Sequence, residues 1–191
     1  MSDGIPLLDD PTGDTPIEHD GFGAATGPGY GHEPTVIVER YPDGSLVSVQ
    51  DTNHDGYADV VARDLDHDGI AELTYVDSNH DGRLDTVLQD LDDDGRVDRV
   101  LADRNGDGMI DYVALDTNHD GIVDSLILDT NHDGRPDTWV RDTNHDGRPD
   151  EVVKDTDGDG DRDLVIRDTD GDGALDTVTY LDAATNPYTM R

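Results

Sequence analysis

Between Asp51 and Tyr180 a 13-residue phrase recurs ten times without an insertion or deletion. Repeats begin at Asp51, Asp64, Asp77, Asp90, Asp103, Asp116, Asp129, Asp142, Asp155 and Asp168. Positions 1 and 5 are Asp and position 6 is Gly in every copy, position 3 is Asn or Asp, and position 9 is Asp except at Glu72. So short and strict a period leaves room only for an array in which each copy forms one small unit and stacks on others like it.

The run Asp116, Thr117, Asn118, His119, Asp120, Gly121 shows the chemistry of the phrase. Side-chain oxygens at positions 1, 3 and 5 converge when the backbone turns around one point, and Gly at position 6 permits the sharp turn. The position-7 carbonyl can add an oxygen, and the acid at position 9 closes the shell. An all-oxygen set suits a hard cation. Calcium accepts six or seven such ligands, magnesium prefers more water, and zinc wants a tight tetrahedron of His or Cys that this spacing does not provide.

The candidate metal ligands are therefore Asp51, Asn53, Asp55 and Asp59 in the first repeat, then Asp64, Asp66, Asp68 and Glu72 in the second. They continue as Asp77, Asn79, Asp81 and Asp85, as Asp90, Asp92, Asp94 and Asp98, and as Asp103, Asn105, Asp107 and Asp111. The sixth and seventh repeats supply Asp116, Asn118, Asp120 and Asp124, then Asp129, Asn131, Asp133 and Asp137. The last three supply Asp142, Asn144, Asp146 and Asp150, then Asp155, Asp157, Asp159 and Asp163, and finally Asp168, Asp170, Asp172 and Asp176. The expected cofactor is Ca2+, up to about ten ions.

Charge supports a cation partner. The 191-residue chain carries a formal net charge of -34 with only 32% hydrophobic residues, a balance that by composition alone suggests disorder. The charge is periodic, however. Residues 51–180 hold 37 acidic and 11 basic residues, a net of -26, which ten divalent ions would bring to -6. Without them the array repels itself, so folding is expected to depend on the metal. The same balance disfavours nucleic acid and anionic membrane surfaces as partners. No run of 18 apolar residues is present to span a bilayer. With no Cys there are no disulfides or thiolate sites, whatever the compartment.

Residues 1–33 are rich in Gly, Pro and acids and read as a flexible segment. Residues 34–50 read as a degenerate β cap, with a strand at Thr35–Tyr41, a turn at Pro42, Asp43 and Gly44, and a second strand at Ser45–Gln50. Residues 51–180 are the ten repeats, and residues 181–191 form a short tail. Position 11 is Val in seven repeats and Thr74, Leu126 or Trp139 in the others, and the runs around it have strand length. The expected class is all-β. A calcium-loaded β-roll is favoured, with the position-11 column on one face, because a single sheet would lack a partner layer. The alternative is an antiparallel meander of hairpins.

The phrase Asp51, Thr52, Asn53, His54, Asp55, Gly56, Tyr57, Ala58, Asp59, Val60, Val61 resembles the calcium loops of FG-GAP/VCBS propeller repeats and of thrombospondin type 3 repeats. In the propeller-type loop, the ligands are acids at positions 1, 3, 5 and 9, and the resemblance implies ligands at the same positions here, with Asn53 standing at position 3 of this phrase. Its start also resembles EF-hand and dockerin loops. Those place Glu at position 12 between helices, where this chain has Ala62, Leu88, Ile127 and Val153, so helices are not expected. The resemblance covers the loop and the first strand residues, and a whole propeller blade is several times longer. It implies the company of calcium-binding adhesins and exported bacterial proteins.

Three other features invite a sharper reading. His at position 4 (His54, His67, His80, His119, His132, His145) suits either a transition-metal or pH-sensing ladder, or a solvent-facing turn with positive φ, which Gly106, Gly158 and Gly171 fill elsewhere. The turn is the preferred reading. Thr at position 2 of six repeats suggests a mineral- or ice-binding column, which Leu65, Ser78, Leu91 and Arg104 interrupt. Trp139 sits at a core position. No acid is uniquely placed for acid–base chemistry, so the chain is not expected to be an enzyme.

The expectation is a calcium-dependent structural or adhesive module at a cell surface or outside the cell, where calcium is abundant enough to fill weak sites. A protein or matrix component is a further candidate partner. The first ten residues lack a basic stretch and an apolar core of signal-peptide length, which keeps a cytoplasmic calcium buffer or folding switch as the alternative.

Overall fold

Short runs of branched aliphatic residues between Asp- and Gly-rich loops form strands throughout, because neither neighbour of each run can continue a helix. The structure, a computed structural model, describes residues 35–188. The segment 1–33 lies outside the described residues. Among the described residues every regular element is a β-strand, so the all-β class expected from the sequence holds.

The chain divides into two compact units, which among the described residues span 35–96 and 97–188. The first unit holds β1 (Thr35–Arg40), β2 (Leu46–Asp51), β3 (Val60–Asp64), β4 (Leu73–Val76) and β5 (Thr86–Gln89). The second holds β6 (Arg99–Ala102), β7 (Tyr112–Leu115), β8 (Ser125–Leu128), β9 (Thr138–Arg141), β10 (Glu151–Lys154), β11 (Leu164–Arg167) and β12 (Thr177–Tyr180). In the first unit every strand pairs antiparallel with its sequence neighbour. The second unit follows the same rule.

Of the two all-β arrangements the pairing is thus the meander, not the stacked roll. The reason lies in the loop. Its two ends meet, with the position-9 N–H donating to the carbonyl just before position 1, as in Asp59 to Gln50 at 2.8 Å and Asp124 to Leu115 at 2.8 Å. Each loop therefore closes a hairpin and cannot carry the chain to a second sheet.

Antiparallel pairing also corrects the expected single column of position-11 side chains. Directly opposed residues share a face, and the register sets position 11 of one repeat against position 12 of the next. In the first unit Ile37, Val49, Val61, Tyr75 and Val87 form one row. In the second, Leu101, Val113, Ile127, Trp139, Val153 and Val165 form another. The opposite face of the second unit carries Val100, Ala114, Leu126, Val140, Val152 and Ile166. Position 11 alternates between faces, so both faces of the second unit are apolar along the strand centres, while in the first unit the second face mixes Ser48, Ala62, Thr74 and Leu88.

Val61, Tyr75, Val87, Leu101, Val113, Ala114, Val153 and Val165 are buried. Loop side chains supply part of the cover. The Arg162 guanidinium lies 4.9 Å from the Trp139 ring centre, and that of Arg104 lies 3.5 Å from the Tyr112 ring centre. A cross-strand trio adds to the second unit: Glu151 accepts from Arg167 Nε at 2.9 Å, with Arg141 Nη1 at 3.8 Å on its other side.

Candidate metal-binding loops

Each loop is built around its first carboxylate. In the first repeat Asp51 accepts the His54 N–H on Oδ1 at 2.6 Å and the Gly56 N–H on Oδ2 at 3.2 Å. Those N–H groups point inward because positions 4 and 6 both have positive φ, 63° at His54 and 93° at Gly56. Glycine is required at position 6 for this reason. Asn53 Oδ1 then accepts the Asp55 N–H at 2.8 Å, and Asp55 Oδ1 accepts the Tyr57 N–H at 2.8 Å.

The ninth position reaches back across the loop. Asp124 Oδ2 accepts the Thr117 N–H at 2.8 Å, the Thr117 hydroxyl at 2.7 Å and the Asn118 N–H at 3.2 Å. Thr at position 2 thus has a structural role that the sequence reading missed. The pairing of a position-2 hydroxyl with a position-9 acid was its signal.

In three loops, three of the four expected ligands come together. Carboxylate oxygens of Asp64, Asp66 and Glu72, of Asp155, Asp157 and Asp163, and of Asp90, Asp92 and Asp94 lie within 4.8 Å of one another in each group. Where position 3 is Asn, its amide joins the acids. Asn53 Nδ2 is 3.1 Å from Asp55 Oδ2 and 2.9 Å from Asp59 Oδ1, and Asn144 Nδ2 is 3.0 Å from Asp150 Oδ1. The fourth loop keeps Asp90, Asp92 and Asp94 in the first unit, while Asp98 belongs to the second.

These carboxylates are deeply placed. Fourteen Asp residues at loop positions 1 and 9 are buried, with Asp163 at 1% and Asp77 at 2% exposure. Their hydrogen-bond donors are mainly neutral backbone N–H groups and Thr or Ser hydroxyls. Buried negative charge held chiefly by neutral donors leaves a net anionic site, and oxygen clusters of this kind can hold a metal ion.

Position 4 does more than turn the chain. The positive φ expected there is present at all six His residues, but four of them also reach the position-9 acid two repeats earlier. Nδ1 lies 2.6 Å from Asp98 at His119, 2.6 Å from Asp124 at His145, 3.4 Å from Asp59 at His80 and 3.5 Å from Asp111 at His132. Burial pushes the Asp124 carboxyl up, but hydrogen bonds from Thr117 and His145 outweigh it and hold the group at about 2. The bond to Asp124 in turn raises His145 above its usual value.

The fourth repeat breaks this pattern with Asp93, also at positive φ, 65°. Its carboxylate joins Asp66 and Asp68 within 4.8 Å, and its Oδ1 is buried without a hydrogen-bond partner. Burial, then the charges of Asp68, Asp66, Glu72 and Asp90, raise its pKa.

No helix among the described residues is long and apolar enough to cross a membrane. Comparison with protein families, with characterised proteins and with solved structures finds no match to this chain.

Proposed function

We propose that the chain is a non-enzymatic calcium-binding repeat protein whose folding depends on the ion, acting as a structural or adhesive module outside the cell or at its surface. The observation that carries the reading is the fourteen buried Asp carboxylates of positions 1 and 9. Burying so many like charges is unfavourable without a cation, and divalent ions both neutralise them and link the two ends of each loop. The ligand chemistry points to calcium. Each loop carries carboxylates at positions 1, 5 and 9 and a carboxylate or amide at position 3, and the side chains that satisfy their own backbone N–H groups keep further lone pairs free for a hard ion.

The module reading follows from the architecture. Acids recur equally along the array, so binding strength is spread over many similar sites, which suits a load-bearing or spacing element. The resemblance of the loops to calcium adhesin repeats supports the extracellular setting.

Calorimetric titration of the full chain with calcium, paired with circular dichroism in chelator, tests the proposal. The expected result is several ions bound, β-structure gained on binding, and little effect of magnesium at equal concentration. A chain that is already folded in chelator, or that binds fewer than about three calcium ions, overturns it.

A further inference from the structure

We infer that the loops of the second unit communicate in two separate files, each linking every other repeat along one edge of its sheet. The inference rests on the calcium reading above and specifies how those sites are regulated. Consecutive strands run in opposite directions, so consecutive loops emerge at opposite strand ends. The fifth, seventh and ninth loops share one edge, and the sixth, eighth and tenth share the other.

Loops on the same edge are joined through position 9. In one file Asp129 N–H donates to the Asp111 carbonyl at 3.0 Å and Asp155 N–H to that of Asp137 at 2.9 Å. In the other, Asp142 N–H donates to Asp124 at 2.8 Å and Asp168 N–H to Asp150 at 2.9 Å. Side chains repeat the link. His132 reaches Asp111, His145 reaches Asp124, and Arg148 Nη1 donates to the Asp172 carbonyl at 3.2 Å. Loops adjacent in sequence instead sit at opposite ends of a four-residue strand, roughly 13 Å apart.

The position-9 residue therefore belongs to two loops at once. The Asp124 carboxylate closes the sixth loop through Thr117 and Asn118, while its carbonyl holds the first residue of the eighth. That first residue, Asp142, organises the eighth loop by accepting the His145 and Gly147 N–H groups at 2.7 Å each. An ion that draws in the Asp124 carboxylate orients the peptide on which Asp142 hangs. Filling the sixth loop thereby prepares the eighth, and by reciprocity filling the eighth prepares the sixth.

The test follows position-6 glycine amides by nuclear magnetic resonance during calcium titration of the full chain and of Asp120→Asn. Asp120 is exposed and bonds to Asn118 and Ile122 of its own loop. The expected result is that the midpoints of Gly147 and Gly173 rise about fivefold or more, while those of Gly108, Gly134 and Gly160 move less than about twofold. The mirror variant Asp133→Asn, at the exposed fifth position of the seventh loop, should move Gly108 and Gly160 and spare Gly121 and Gly147. It also serves if Asp120→Asn does not fold. Equal shifts in both files, or no shift in the same-edge glycines, overturn the inference and leave the calcium reading standing. A wild-type chain whose glycine amides ignore calcium overturns both.

Discussion

The Nδ1 of His145 lies 2.6 Å from Oδ1 of Asp124, a residue 21 positions earlier in the chain and one loop away along the same sheet edge. Through it a turn residue of one repeat stabilises a candidate ligand of another. The contact also has a pH signature in the calcium-free protein. His145 titrates above its usual 6.5, so its contribution is fully present below that value and lost as pH rises through the raised folded value. Asp124 titrates at about 2 instead of 3.8, so its contribution is present above 3.8 and lost as pH falls toward 2. The pair is strongest between those windows. A ring-proton titration in chelator, with enough trimethylamine N-oxide to keep the chain folded, should place the His145 midpoint above 6.5 and lower it in Asp124→Asn. An unshifted wild-type midpoint in the folded chain would rule out the contact.

Gly147 has φ +85° and nothing near the position of an added Cβ. Gly147→Ala should therefore destabilise through the backbone alone, by about 1–2 kcal/mol. Urea unfolding at saturating calcium measures this. A neutral result would mean that the loop can turn without the left-handed residue.

Asp163 is almost fully buried and accepts the Thr156 N–H at 2.6 Å, the Thr156 hydroxyl at 2.7 Å and the Asp157 N–H at 3.2 Å. Asp163→Ala strands these donors and should cost about 1–3 kcal/mol, besides weakening calcium binding in the ninth loop. Asp161→Asn, at the exposed seventh position of the same loop, should leave calcium stoichiometry unchanged. Equal losses in the two variants would argue for general charge and against a shaped site.

Asp93 stands where four other loops place a His against an acid, and it adds a carboxylate to a cluster that already holds Asp66 and Asp68. Replacing it with His should raise the melting temperature at limiting calcium by a few degrees, because one repulsive charge is removed. At saturating calcium the gain should shrink. A lower melting temperature at limiting calcium would show that Asp93 is not repelled there.

Trp139 is the one Trp of the chain and sits between Ile127 and Val153 in its row, with Arg162 over its ring. Its emission should move to longer wavelength when chelator is added. Arg162→Ala should shift the calcium-bound spectrum part of the way and cost about 0.5–1 kcal/mol. A spectrum indifferent to chelator would mean that the row stays assembled without the ion.

The candidate site was more legible in the sequence than the fold. Ligand spacing within a loop is local, so alternate oxygens and a glycine at position 6 sufficed to foresee the convergence of Asp155, Asp157 and Asp163. The positive φ of the position-4 His residues was readable for the same reason. Strand direction was not, since Val at position 11 suits a roll and a meander equally. The partners of His119 and His145 depend on that direction. Only once neighbouring strands run antiparallel do alternate loops meet, and only then does a position-4 side chain find a position-9 acid two repeats back. Nothing in the sequence singles out Asp93, because the second loop it faces comes close only once the strand directions are set.

The alternation of position 11 between faces sets the grain of any rearrangement in this chain. Removing one 13-residue copy would send every later side chain to the opposite face and every later loop to the opposite edge. Removing two restores both. The module that can be duplicated, deleted or grafted without disturbing its neighbours is thus 26 residues long, a pair of unlike halves, although the sequence displays a period of 13.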